Sequence, residues 1–382
     1  MLLGIDVGTT GCKVALFSPT GEPLAAAYRE YEIQHPQPGW AQLDAGSVWE
    51  EVKSAIRSVT GARPKAEIRA LAVSSLGEAV VPVSADRQIL GPSLLNYDMR
   101  GEEFLADLKT LLPDEQLYAI TGNTLGNRYS LTKLKWIRRH QPELYGQSYK
   151  FLHWSGFISF LLGAEPVVDF TLANRSLLFD LQAGDWSDAL LETADLDRSK
   201  LPVVVPAGTV IGTVATHIAG DLGLPPGVRI VAGVHDQGAN AVGCGAIDVG
   251  KAVYGMGTFH CITPVFAGQS NPRAMISRGL NTEHHAVPNR FVSFLYNQGG
   301  SLVKWYRDTF AATEHRQALA EGRSIYPALF AELPAGPSRV MVLPHFSTTG
   351  PPAFIADSAG LIAGLRLETH RGEVLKGIIE GA

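Results

Sequence analysis

Short apolar runs broken by glycine open the chain. Leu2, Leu3 and Ile5 lead to an acid, Asp6; Gly8-Thr9-Thr10-Gly11 follows; Val14 to Phe17 leads away. The pattern predicts a buried β-hairpin whose bend is too glycine-rich to be filled by side chains. Ser18 to Gly21 is a turn, and Leu24 to Ile33 forms a third strand, which makes an antiparallel meander. The period then changes. Val48, Val52, Ala55, Ile56 and Val59 fall on one helical face, with Ser47 and Glu50 spaced as a capping box. Arg69 to Ser75 and Val80 to Val83 are short β-type runs around Leu76-Gly77-Glu78-Ala79. Asn96 to Arg100 opens a helix with apolar Phe104, Leu105, Leu108, Leu111 and Leu112, and Ser130 to His140 is a second helix. Phe151 to Leu162 is the most apolar stretch; it is too short to span a bilayer and reads as a buried core helix.

From Phe151 to Pro226 the chain is helical and loop-like, without obvious chemistry, and Asp185-Trp186-Ser187 turns into a helix. Arg229 to Val234 is then a buried strand that delivers His235, Asp236 and Gln237 to its end, before a helix of small residues. Lys251 to His260 repeats the opening theme as a second hairpin around Gly255, Gly257 and Thr258. Phe291 to Tyr296 is a strand, Gly299-Gly300 begins a helix, Arg339 to Phe346 is a strand and Asp357 to Arg366 a loop. The last helix, Glu373 to Glu380, is of core type and stops abruptly, so more structure is expected to follow.

At 382 residues the chain has room for two or three domains, and 46% apolar with 18% charged residues describes a globular protein. A net charge of −5 with no block of Lys and Arg argues against nucleic acid or an anionic membrane as a partner. Cys12, Cys244 and Cys261 are far apart and show no CxxC spacing, which fits a reduced, cytoplasmic compartment. No signal peptide is expected, because Asp6 interrupts the first apolar run and no basic segment precedes it.

The chemistry lies at the bends. A glycine-rich turn exposes backbone N–H groups and closes on an anion as readily as it makes an ordinary hairpin. Asp6 at its mouth can hold a hydrated Mg²⁺, and Lys13 can meet phosphate charge. Asp236, at a strand end before a helix that allows close approach, is either a catalytic base or a helix cap. Glu78 is a ligand contact or a solvated turn residue, and Asp98 beside Arg100 a ligand contact or a cap. The Gly299-Gly300 amides at a helix start suit phosphate. The recurrence of the hairpin carries the argument for a nucleotide. No GxxxxGK[ST] loop, GxGxxG turn or GxSxG elbow occurs, and His284-His285 has no partner at zinc spacing and reads as a surface pair.

Six ordered motifs resemble the FGGY family of carbohydrate kinases, within the actin/hexokinase-like superfamily. Gly4 to Thr10 resembles its first phosphate motif and Gly255 to Thr258 its second. Asn96 to Arg100 resembles its W-x-D-x-R segment, with Asn96 in place of Trp, and Gly233 to Asp236 the segment carrying its base. Ser130 to His140 and Gly364 to Glu380 resemble its two signatures, with Arg128 at the opening position of the first and Gly377 where Ala or Ser is usual in the second. The resemblance implies an α/β fold of two RNase H-like domains around a cleft, the second incomplete: residues 1–246 for the sugar and 247–382 for the nucleotide. It further implies ATP and Mg²⁺ as cofactors, Asp236 as the base and Asp6 as the metal residue. Glu78, Asp98, Asp236 and Gln237 would face the substrate, while Thr9, Thr10, Lys13, Gly257, Thr258, Gly300 and Lys304 would serve the nucleotide. Substrate residues are mixed: Glu78 and Asp236-Gln237 are similar to glycerol kinases, whose Arg and Tyr are Gly77 and Arg128 here. The implied substrate is a small sugar, a ketose such as xylulose; the alternatives are glycerol or another polyol, and a sugar-binding protein without catalysis. A homodimer is left open.

Overall fold

Alternation of buried and exposed residues builds the first strand, β1 (Leu2–Val7): Leu3, Ile5 and Val7 are buried and Asp6 is exposed. β2 (Gly11–Phe17) returns beside it with Asp6 opposite Lys13, and β3 (Pro23–Glu30) completes the expected meander. The computed structural model describes residues 1–64, 66–257, 259–268, 271–346 and 358–382. These divide into two compact units. The first holds Met1–Val249, Val265–Ile276 and Asn281–Val292; the second holds Gly250–Pro264, Ser277–Leu280 and Ser293–Ala382.

In the first unit, helix α1 (Ala45–Ala62) crosses over so that β4 (Ala70–Ser75) lies parallel to β1. Its buried Val48, Val52, Ala55, Ile56 and Val59 are the face read from the sequence. The helix starts earlier than expected, however. Asp44, not Ser47, is the cap, and its Oδ1 accepts the Ser47 N–H at 2.8 Å. Further on come α2 (Ser130–His140) and α3 (Trp154–Leu162). Every residue of α3 is buried, as a core helix requires, although Lys150–His153 before it is a strand paired with Val80–Val83. β5 (Val210–Thr213) and β6 (Arg229–Val231) finish a six-stranded sheet in the order β5-β6-β4-β1-β2-β3, in which β6 is parallel to β4 and β5 is an antiparallel edge. Leu3, Ile5, Val14, Val52, Ile56, Val73, Phe157 and Ile230 share one core. At about 1.5–3 kcal/mol for each fully buried large side chain, this core is the main term holding the sheet to its helices.

A second core in this unit gathers Leu131, Leu134, Trp136, Ile137, Phe151, Phe179 and Trp186. Here the helix expected to open at Asn96–Arg100 is displaced. Gly101 takes φ +99°, so a 3-10 turn at Glu102–Phe104 and a helix over Leu105–Leu111 follow as separate pieces, and Leu111 is exposed. The expected strand to His235 stops at Val231; Ala232 to Val234 continue beside β4 without ladder pairing, until Ser75 donates its N–H to Val234 O. α4 (Asp236–Gly243) follows. His284 and His285 are not surface residues. Their rings meet the carbonyls of Leu181 and Ala246 at 2.9 and 3.1 Å, and burial holds both imidazoles below their usual pKa. Polar rings fill in where loop carbonyls lack ladder partners.

The second unit contains β7 (Ala252–Met256) paired antiparallel with β8 (Phe259–Phe266), whose last two residues belong to the first unit. β9 (Leu295–Gln298) joins β8, and α5 (Gly300–Phe310) begins two residues after it. β10 (Met341–Leu343) and β11 (Leu361–Ala363) pair beside α6 (Arg371–Gly381). Leu302, Tyr306, Leu329, Val340, Leu375 and Ile378 form its core. Among the described residues, no helix is long and apolar enough to cross a membrane, and no disulfide joins the three cysteines.

Candidate functional site

The end of β1 sets one row of side chains. Lys13 on β2, Asp6 on β1 and Ser74 on β4 are cross-strand neighbours, and Ser74 Oγ donates to Asp6 Oδ1 at 2.7 Å. The Asp6 side chain reaches solvent, yet the surrounding strands desolvate it and push its carboxyl above the usual range. The Ser74 hydrogen bond and Lys13 pull it down, while the charge of Asp236 pushes it further up. Beyond this row the chain turns through Gly8 to Gly11. Gly8 N–H donates to Gly11 O at 2.9 Å, and Tyr31 Oη donates to Gly8 O at 2.7 Å. A Cβ on Gly11 would stand 2.8 Å from Arg29 O, so the turn tolerates only glycine there. Thr9 and Thr10 form the tip of this turn.

A second group lies where β4 ends. Ser75 pairs with His235, whose N–H donates to Thr171 Oγ1 at 2.8 Å. This anchors the start of α4 and with it Asp236, the first helical residue, and Gln237, the second. Asp236 Oδ1 lies 3.2 Å from His235 Nε2. That oxygen is buried and makes no hydrogen bond among the described residues, while the side chain as a whole is 34% exposed. Glu78 sits in the loop after β4 and is only 5% exposed. It is neither solvated nor free: Arg175 Nη2 donates to its Oε1, and Asn96 Nδ2 lies 3.5 Å from Oε2. Burial pushes the Glu78 carboxyl up, but Arg175 and then His235 outweigh it and hold it below the usual range. Ser130 Oγ, at the start of α2, donates to Glu78 O at 2.6 Å.

Asp98 belongs to a different arrangement. It has no exposed surface, and both its oxygens are taken. Oδ2 accepts from Ala41 N at 2.6 Å and Arg100 Nη2 at 2.6 Å; Oδ1 accepts from Arg100 N at 2.8 Å and Arg100 Nε at 2.9 Å. The Arg100 guanidinium lies 4.1 Å from the centroid of the Trp40 ring. Buried Lys133 donates to the carbonyls of Asp98 and Arg100, and burial lowers its pKa to about 8. Asp98, expected to meet substrate hydroxyls, accepts in the folded chain from Ala41 and from Arg100 of the loop that carries Asn96.

In the second unit, Gly300 N–H donates to Gly257 O at 2.8 Å, which ties the end of the hairpin to the start of α5. Lys304, one turn into that helix, is exposed. Thr258 lies outside the described residues. The first unit thus brings Asp6, Lys13, Glu78, Asp236 and Gln237 to one end of its sheet, and holds Asp98 apart in a buried pair.

Sequence reasoning missed Arg175 and Glu283. Arg175 lies in the 3-10 turn Asn174–Ser176, is 12% exposed, and bridges Glu78 to Glu283, whose Oε1 is 2.5 Å away. Glu283 is 1% exposed and also accepts from Asn281 Nδ2 at 2.6 Å. A signal existed: Arg175 is the one basic residue in the apolar run from Phe170 to Leu181, and a buried arginine must find carboxylates. Which carboxylates it would find was not legible.

Fold and site together define an α/β protein of the RNase H-like type, with acidic side chains at the end of β1, after β4 and at the start of α4. A family model described as the FGGY family of carbohydrate kinases, N-terminal domain, matches residues 1–243, and the chain belongs to this family. It is 26% identical to the xylulose kinase of Escherichia coli (strain K12) and 25% identical to the gluconokinase of Bacillus subtilis (strain 168), covering 100% of this chain in each case and 76% and 74% of those proteins. The crystal structure of a xylulose kinase from Rhodospirillum rubrum superposes with a TM-score of 0.84 at 26% identity, over 99% of this chain and 76% of that one. The chain therefore spans about three quarters of the length of these relatives.

Proposed function

We propose that this protein transfers the γ-phosphoryl group of ATP to a hydroxyl of a small sugar, a ketose such as xylulose, in the cytoplasm. The observation that carries the reading is the setting of Asp236: fixed by the helix start, partly open to solvent, with Oδ1 held 3.2 Å from His235 Nε2. Asp236 takes the proton of the attacking hydroxyl, a role that typically contributes roughly 10²–10⁴-fold. The remainder comes from alignment and charge neutralisation. Glu78 and Gln237 accept from neighbouring sugar hydroxyls, and Asp98 acts through Arg100 to shape the loop of Asn96.

Thr9, Thr10 and Lys13 are the proposed phosphate contacts of the first unit, and Gly257, Thr258, Gly300 and Lys304 those of the second. The division of labour follows residues 1–246 for the sugar and 247–382 for the nucleotide. The donor set fits Mg²⁺. Asp6 is an exposed carboxylate raised in part by the charge of Asp236, and such a juxtaposition favours a cation. A hydrated Mg²⁺ is held through one or two carboxylates together with phosphates. Asp6 would hold it, and when bound it neutralises phosphate charge.

Asp236→Asn keeps the shape and removes the base. It is expected to abolish transfer while leaving the melting temperature unchanged, measured by ADP release and thermal unfolding of the same sample. Substantial turnover in that variant would remove Asp236 from the mechanism. Wild-type turnover of glycerol or another polyol in preference to ketoses would move the substrate, and sugar binding without ADP release would leave a binding protein.

A further inference from the structure

We propose that Arg175 is a positioning residue of the candidate sugar site: forked between Glu78 and Glu283, it keeps Glu78 charged and aimed. The inference rests on the kinase reading above. Carboxylate and guanidinium alternate through the first unit as Glu283, Arg175 and Glu78, and His235 and Asp236 continue the series. The first three are almost wholly withdrawn from solvent, at 1%, 12% and 6% side-chain exposure. A lone buried carboxylate at position 78 would be neutral and would donate to a hydroxyl rather than accept from one. A planar guanidinium can serve two carboxylates at once, which an ammonium point charge cannot do with the same geometry.

Gly77 makes the approach feasible. A Cβ there would stand 3.2 Å from His235 Nε2 and 3.3 Å from both Cγ and Nε of Arg175, pressing on the two groups that flank Glu78. Glu283 holds the far side of the fork. It is carried by a segment clamped to the same unit: Thr282 N–H donates to Gly122 O at 2.7 Å, and His284 N–H to Asn174 Oδ1 at 2.9 Å. The groups facing Glu78 are Arg175 from the 3-10 turn, His235 from the start of α4, and His153 from the end of the strand Lys150–His153, which burial keeps neutral above about pH 4. Arg175 is the only one of the three with a permanent charge.

The test compares Arg175→Gln and Arg175→Lys with wild type, using sugar binding, turnover across pH and thermal unfolding. For Arg175→Gln, KM for the sugar is expected to rise roughly tenfold or more while kcat changes much less, because the loss is in holding substrate rather than in the base. Its KM should also fall as pH rises from about 6 to about 9, as buried Glu78 ionises late, whereas the wild-type KM stays flat. Arg175→Lys should show an intermediate KM without that pH dependence. If Arg175→Gln does not unfold cooperatively, Arg175→Lys decides: a wild-type KM there overturns the proposal. A wild type that phosphorylates sugar, with Arg175→Gln matching it in KM and pH profile, overturns the inference and leaves the kinase reading intact. A wild type that neither binds nor phosphorylates any sugar overturns the kinase reading, and this inference with it.

Discussion

Asp169 caps the short helix Phe170–Ala173, accepting from Thr171 N at 2.8 Å and Leu172 N at 3.2 Å. Burial nevertheless raises its pKa to about 7, against the pull of those hydrogen bonds. A raised carboxyl binds its proton more tightly folded than unfolded, so its contribution to stability falls as pH rises from about 4 to about 7. Asp169→Asn keeps an acceptor at the cap and removes the titration. The variant is expected to flatten the fall in melting temperature over that window and to be at least as stable as wild type at pH 8, which a pH series of thermal melts checks. At this scale, Asp6 and Asp236 were legible because each stands where an apolar run meets glycine or a small-residue helix. Asp98 was found in the sequence but not understood, since only the folded chain shows Arg100 and Ala41 using its oxygens. Arg175 went unread because its partners are 97 and 108 residues away in sequence.

Elements depend on their ends. α1 begins just after Asp44 because that carboxylate, three residues before Ser47, reaches its N–H, so the nearby Ser47–Glu50 pair is already inside the helix. Asp44→Ala is expected to cost about 1 kcal/mol, while Ser47→Ala costs less than half as much, measured by urea unfolding of both variants. The hairpins, α1 and α2 were legible from period and turn chemistry, which are local properties. The helix start expected at Asn96–Arg100 was not, because Gly101 takes a left-handed φ and helical backbone begins only after it. His284 and His285 are likewise drawn in, half-buried and buried, by carbonyls of Leu181 and Ala246.

The two units have separate cores, and the acidic group of the first is assembled entirely within it. A sugar bound there at a hundred times its Kd stabilises the folded state by about 2.7 kcal/mol. Thermal unfolding against ketoses, aldonates and polyols is therefore expected to show a shift with one class, enlarged by Mg-ATP; no shift with any of them would oppose the kinase reading. The net charge of −5, with no block of Lys and Arg, agrees with a small-molecule substrate rather than nucleic acid or an anionic membrane. The sequence by itself determined the opening meander, the glycine turns, the main helices and the identity of the family, because these rest on local period, turn chemistry and ordered motifs; β5 and β11 lie in stretches that read as helix or loop. Only the tertiary structure decided which carboxylates are presented and which are spent. Glu78 and Asp98 look alike along the chain, yet one is held by a forked arginine at the end of the sheet and the other is closed within a loop. The reason is physical: the cost of burying a charge is settled by its partners, and those partners come from distant parts of the chain.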